Sequence, residues 1–195
     1  MELISKDELL KDKLIAFYKK KENLDTFLPI ILQQTKLSLR SLDWFVTNYC
    51  KKYTINYPIE KNGETQYYFP YKSYKSQLKA YSKKYCDPFC RRERVVFDYA
   101  NFKILPYKQD TEFETKQFIV STIGQLNFFR FAIQDGIIKY ALEHIKEIEQ
   151  DMNTTLKNRE SEKFMEVKSI KRKELSVPGN KSVHITRISA VIKFV

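Results

Sequence analysis

Residues 67–94, YYFPYKSYKSQLKAYSKKYCDPFCRRER, hold the densest mixture of aromatic and basic side chains in the chain. Tyr67, Tyr68, Tyr71, Tyr74, Tyr81 and Tyr85 stand among Lys72, Lys75, Lys79, Lys83, Lys84, Arg91, Arg92 and Arg94. Only Asp87 and Glu93 oppose that charge. The spacing of Tyr74, Leu78, Tyr81 and Tyr85 is 4, 3 and 4, which puts them on one face of a helix. Such a stripe faces a core, and here the expected partner is the helix carrying Trp44 and Phe45. Lys75, Lys79 and Lys83 form a second row at i, i+4 and i+8. That row and the arginines after it are the candidate binding surface, where cations meet phosphates.

Working towards the N-terminus, LSLRSLDWFVTNYCKKY reads as a helix capped by Ser38. Leu39, Leu42, Val46, Tyr49, Cys50 and Tyr53 share its apolar face, flanked by Trp44 and Phe45. Asp43 is expected to pair with a Lys or Arg. Lys61-Asn62-Gly63-Glu64 is a hairpin turn, since Asn-Gly accepts the positive φ that a tight turn needs. Pro58 and Pro70 mark an edge or a strand end. Ser5-Lys6-Asp7-Glu8 is a capping box opening a first helix, with Leu10, Leu14 and Phe17 inward. Residues 24–32 suggest a second short helix, weakened by Pro29.

Towards the C-terminus, Asp87-Pro88 turns the chain. RERVVFDY and NFKILPY then read as a second strand pair. Thr111 to Met152 reads as a long helical tract with Ile119 and Ile123 on its apolar face, divided at Asp135-Gly136. NTTLKNRESE reads as a polar linker, and the end as a hairpin around Pro178-Gly179-Asn180. These elements predict a single α+β domain, with helices packed on small antiparallel hairpins and sheets. N-terminal helices occupy residues 1–34 and the core 35–156. Residues 157–195 are the linker and C-terminal hairpin.

Composition narrows the function classes. The chain has 195 residues, 43% of them hydrophobic, with 14 Phe and 13 Tyr against 4 Gly. That is enough apolar material for a sizeable core. The formal net charge of +11 favours an acidic partner. Nucleic acid comes first, then an acidic protein or an anionic membrane surface. Three cysteines make no disulfide framework. The N-terminal stretch lacks a secretory pattern, and no window is apolar enough for a membrane span. A soluble, intracellular protein is expected.

Catalytic chemistry is sparsely represented. None of the four glycines falls in a nucleotide-binding loop. Cys86-x-x-x-Cys90 lacks a second ligand pair, and Cys50, His144 and His184 would have to complete a zinc site through the fold. His144 and His184 read as structural. Asp98 with Glu114-Thr115-Lys116 could form a metal-dependent nuclease centre, but an E-x-K triplet arises readily in a lysine-rich chain. No catalytic residue, metal ligand or cofactor is assigned, and the protein reads as a non-enzyme. The nucleic-acid-binding set is Lys75, Lys79, Lys83, Arg91, Arg92 and Arg94, with Lys171 and Arg172 as a smaller second cluster. The arginines have two readings side by side: a phosphate site, or internal pairing with Glu93, Asp98 or Glu114.

Four phrases taken together, SLRSLDWFVTNY, YKSQLKAYSKKYCDPFCRRERVVF, STIGQLNFFRFAIQDGIIKY and RKELS, resemble an uncharacterised protein family of nucleocytoplasmic large DNA viruses, the giant viruses of algae and amoebae. The resemblance covers about residues 35–195. It implies a viral origin and a setting in the host cytoplasm or nucleus, or in the virion. It brings no activity. The leading expectation is a viral protein that binds nucleic acid in genome packaging, replication or transcription. The alternative is a minor capsid or virion-assembly protein whose basic surface grips acidic neighbours.

Overall fold

The computed structural model describes residues 5–61, 63–108 and 117–169. Residues up to Thr154 form one compact unit, and those from Thr155 onward a second. The first unit contains all the strands among the described residues and is α+β.

Helix α1 (Lys6–Tyr18) opens with the expected capping box, in which Ser5 and Glu8 bond each other's backbone. Its inward residues are Leu10, Leu14 and Tyr18. Phe17, expected inward, is only half-buried because Tyr18 takes the core position. Helix α2 (Lys21–Ile31) keeps Pro29 in its last turn. The next helix begins behind the Ser38 cap as α3 (Leu39–Trp44), widens into a π-helical turn (Phe45–Tyr49), and ends as α4 (Cys50–Lys52). Leu42, Trp44, Phe45, Val46, Tyr49 and Cys50 are buried, whereas Tyr53 lies past the helix end and is exposed.

Strands β1 (Tyr57–Lys61) and β2 (Glu64–Tyr68) form the predicted hairpin, with Gly63 at φ 79° in the turn. Helix α5 (Pro70–Tyr85) follows directly. Strands β3 (Arg94–Asp98) and β4 (Lys103–Pro106) form the second predicted pair. Strand β5 (Phe118–Thr122) completes an antiparallel sheet of order β4-β3-β5. Ile119 therefore sits in a strand, not on the helical face expected for it. Its neighbours Phe118, Val120 and Thr122 are β-branched or aromatic, and a short apolar run does not tell strand from helix by period.

Helix α6 (Ile123–Gln134) starts behind the Thr122 cap. Gly136, at φ 70°, turns the chain into α7 (Ile137–Glu143), as the Asp135-Gly136 reading anticipated. Helix α8 (Ile145–Ser169) follows. It runs straight through NTTLKNRESE, which is helix and not linker. The polarity there reflects exposure: Asn158, Arg159, Glu160 and Ser161 are all exposed, and polar residues without Gly or Pro are compatible with helix. The C-terminal hairpin expected around Pro178 lies outside the described residues.

The core is aromatic. Tyr18 lies 4.9 Å from Phe27 and 5.3 Å from Phe97, and Phe27 lies 5.0 Å from Phe129, measured between ring centroids. Helices α1, α2 and α6 thus meet the inner face of β3. The buried Tyr18 hydroxyl donates to the Leu126 carbonyl at 2.8 Å, satisfying the polar end of an otherwise apolar side chain. Burial pushes its pKa well above the ordinary phenol value.

Candidate nucleic-acid interface

Helix α5 carries the lysine row, and its packing decides what the row can do. Tyr74 is buried against α6, with its ring centroid 5.8 Å from Phe128 and 6.3 Å from Phe131. The expected four-residue stripe does not extend beyond it: Leu78, Tyr81 and Tyr85 are half-buried. At Ser82 the backbone leaves the helical region, with φ 57° and ψ 174°. Residues after this kink no longer follow the helical face, and Tyr85 turns to α1, where its hydroxyl donates to Asp7 at 2.8 Å. The main buried partner of α5 is α6, beside the expected helix of Trp44 and Phe45.

The helix of α3 and α4 packs beside α5. At its end the Lys51 ammonium lies 5.9 Å from the Tyr71 ring centroid, near the start of α5. Nearer its start, Asp43 feels Lys83 and Arg91, beyond the kink of α5. Burial and the neighbouring Asp87 raise the Asp43 pKa, opposed by Arg91 and Lys83. Asp43 makes no ion pair as close as 4 Å with a described residue; its expected pairing is only this longer-range attraction.

The segment after α5 is latched onto the first turn of α6. The Asp87 N–H donates to the Gly124 carbonyl at 3.1 Å. Gln125 Nε2 donates to the Pro88 carbonyl at 2.8 Å, and Asn127 Nδ2 to the Tyr85 carbonyl at 2.7 Å. A Cβ on Gly124 would stand 2.8 Å from the Lys84 carbonyl oxygen, so glycine permits this approach. The latch fixes where the arginines emerge.

Lys75, Lys79, Lys83, Arg91, Arg92 and Arg94 are all exposed. Lys75, Lys79, Lys83, Arg92 and Arg94 make no ion pair with a described residue. Arg91 differs. Its Nε and Nη2 donate to the two carboxylate oxygens of Asp87 at 3.0 and 2.6 Å, and its guanidinium lies 4.7 Å from the Phe89 ring centroid. The partner is thus Asp87, and not the Glu93, Asp98 or Glu114 expected from the sequence. The i, i+4 spacing of Asp87 and Arg91 was the available signal, hidden because Pro88 reads as a turn. Lys171 and Arg172 lie outside the described residues.

The alternative chemistries are placed as follows. Asp98 accepts from the backbone of Ala100 and Asn101 and from the Asn101 amide, so it shapes the β3–β4 turn. Glu114 and Lys116 lie outside the described residues. Cys86 is buried, and burial pushes its thiol up to about 12. His144 stacks on Tyr140, 4.3 Å between centroids, and His184 is outside the described residues. Among the described residues, no three His, Cys, Asp or Glu side chains are grouped so as to hold a metal ion. Nor is any described helix long and apolar enough to cross a membrane.

An exposed basic surface on an α+β scaffold is the class of protein defined so far. Residues 3–189 match a family of unknown function, DUF7197, and the chain belongs to it. It is 41% identical over 168 residues to the uncharacterized protein L507 of Acanthamoeba polyphaga mimivirus, covering 85% of this chain and 61% of that one. The chain thus spans about three-fifths of the length of this curated relative. No solved structure matches it. The giant-virus family inferred from the four phrases is therefore the right one, and the match extends further towards the N-terminus than the phrases do.

Proposed function

We propose that this viral protein binds nucleic acid through the exposed cations of α5 and of the segment leading into β3. The observation that supports it is the combination of exposure and vacancy. Lys75, Lys79, Lys83, Arg92 and Arg94 reach solvent, and none is ion-paired within 4 Å with a described carboxylate. Cations already paired internally would have to break those pairs before meeting phosphate. These would not. Arg91 belongs to the scaffold instead, since it holds Asp87.

Contacts of this kind go to the phosphate backbone and read no bases, so binding would be general and not sequence-specific. That suits genome packaging, or an accessory role in replication or transcription, in the host cytoplasm or nucleus or within the virion. The assembly reading, in which the same surface grips acidic virion proteins, differs in one measurable respect. Phosphate binding releases counterions from a polyelectrolyte, so affinity falls steeply with salt. The test is a salt titration of the purified protein on one labelled oligonucleotide, with the absorbance ratio at two wavelengths reporting co-purified nucleic acid.

A further inference from the structure

A cleft of about 390 Å³ lies between the β1–β2 hairpin and the corner joining α6 to α7. That volume is in the range of small-ligand pockets. It is lined by Tyr57, Tyr140, Glu60, Asp135 and Glu143, with Lys139 as the basic residue of its lining. In a chain of net charge +11, this is a local reversal of sign.

The cleft is built rigidly. The Tyr57 hydroxyl donates to the Asp135 carbonyl at 2.8 Å, and the Tyr68 hydroxyl to Asp135 Oδ2 at 2.9 Å. Two tyrosines thereby pin the hairpin to the corner made by Gly136. The Tyr57 and Tyr140 rings stack with centroids 5.0 Å apart and planes at 18°, and Phe45 stacks on Tyr140 from the core at 5.5 Å. The tyrosine wall and Asp135 are therefore held in a fixed relation.

The rim is also unspent. Glu60 and Glu143 make no hydrogen bond or ion pair with a described residue, and Asp135 Oδ1 accepts from none. Lys139 stands four residues before Glu143 on the same helix, a spacing that favours pairing, yet the two are not paired. Three acidic residues thus line the cleft against one lysine, which leaves an excess of negative charge there.

We infer that this cleft binds an organic cation, an ammonium or guanidinium group on a flexible alkyl chain. The stem lies along the tyrosine wall, as long basic side chains do on apolar surfaces, and the charged head meets Glu60, Asp135 and Glu143. The inference goes beyond the nucleic-acid reading and does not rest on it. The cation has two possible sources, a free diamine or a lysine side chain of a partner.

The experiment is an NMR titration of the full ¹⁵N-labelled chain with 1,5-diaminopentane, with Nα-acetyl-lysinamide, and with neutral 1-pentanol. The expected result is saturable shifts centred on Tyr57, Gly136 and Tyr140 with the cations and not with the alcohol. Response to the diamine alone identifies a free ligand. Response to the lysinamide as well identifies a side-chain cation. A Glu60→Gln, Glu143→Gln double variant should weaken binding about tenfold, and Lys139→Ala should strengthen it. Both substituted carboxylates are exposed and unpaired, so the variant is expected to fold, which a thermal melt checks. The inference is overturned by no shifts at the cleft, by equal shifts with the alcohol, or by cation binding unchanged in the folded double variant.

Discussion

Arg91 clasps Asp87 with two parallel hydrogen bonds, its own side chain 60% exposed and that of Asp87 only 7%. The asymmetry sets what each can lose. The arginine can return to water, but the carboxylate cannot without moving the latched segment after α5. Arg91→Ala should therefore lower stability by ~1–3 kcal/mol, the cost of leaving a buried acceptor without its partner. This is less than for a fully buried ion pair, because the arginine is solvated. Arg92→Ala should change stability by under ~0.5 kcal/mol, as for an ordinary surface site. Denaturant melts of the two variants check this; equal melts would mean the clasp contributes nothing.

Along α5 the burial difference becomes a stability difference. Tyr74→Ala removes a ring packed against Phe128 and Phe131 and should cost ~3–5 kcal/mol. Tyr81→Ala, at a half-buried position, should cost less than half as much. A reversal of that order would show that the buried stripe extends past Tyr74 to Tyr81.

Gly124 offers a test of the latch itself. Alanine is the better helix former by ~1 kcal/mol, so Gly→Ala within a helix ordinarily stabilises. Here the added Cβ would meet the Lys84 carbonyl oxygen at 2.8 Å, and that atom is backbone held by its neighbours' bonds to Asn127 and Gly124. Gly124→Ala should therefore destabilise, by ~1–3 kcal/mol as for overpacking. A stabilised variant would mean the 84–88 segment yields freely.

Much of this was readable in the residues, and the failures have specific causes. Capping boxes and Asn-Gly turns are local: Ser5-Lys6-Asp7-Glu8 and Gly63 specify their own geometry, and both elements appear where expected. Strand β5 is not legible in the sequence because FIVST carries no period that excludes helix. The Ser82 kink has no Gly or Pro to announce it. The close approach of Lys84 and Cys86 to Gly124, just beyond the kink, is visible only in the fold. Of the candidate surface, exposure of the lysine row followed from its spacing along the helix. The withdrawal of Arg91 into a clasp with Asp87 depended on how the fold buries one acid.

Asp151 gathers three donors: Trp44 Nε1 at 2.9 Å, the Tyr53 hydroxyl at 2.9 Å, and the Lys52 ammonium. Burial alone would raise its pKa, but the hydrogen bonds from Lys52, Trp44 and Tyr53 outweigh it and hold the carboxyl below its ordinary value. A depressed pKa stabilises the fold at pH above the unfolded-state value, and that stability is lost as pH falls through the folded-state value. Wild type should lose stability on acidification below about pH 4, where unfolded aspartates titrate. Asp151→Asn should be less stable at neutral pH and show a flatter acid limb. Chemical denaturation between neutral pH and pH 3 measures both, and parallel curves for the two proteins would rule out the contribution.

The nucleic-acid reading stands or falls on the salt dependence of particular cations. Each phosphate neutralised on duplex DNA contributes a slope of about −0.9 in log affinity against log salt. Lys75→Ala with Lys79→Ala removes two exposed ammonium groups on the same straight part of α5, before the kink. Because neither is paired with a described residue, the fold should keep its melting temperature. The slope should flatten by roughly 2, with all sequences weakened alike, since phosphate contacts carry no base information. Arg92→Ala should flatten it by about 1 more. Arg91→Ala should act differently, moving the melt more than the slope, because its guanidinium already serves Asp87. An assembly protein would instead bind nucleic acid weakly, with a slope indifferent to the lysines, and would lose incorporation into particles. A folded double-lysine variant with an unchanged slope would reject the α5 row as a phosphate site.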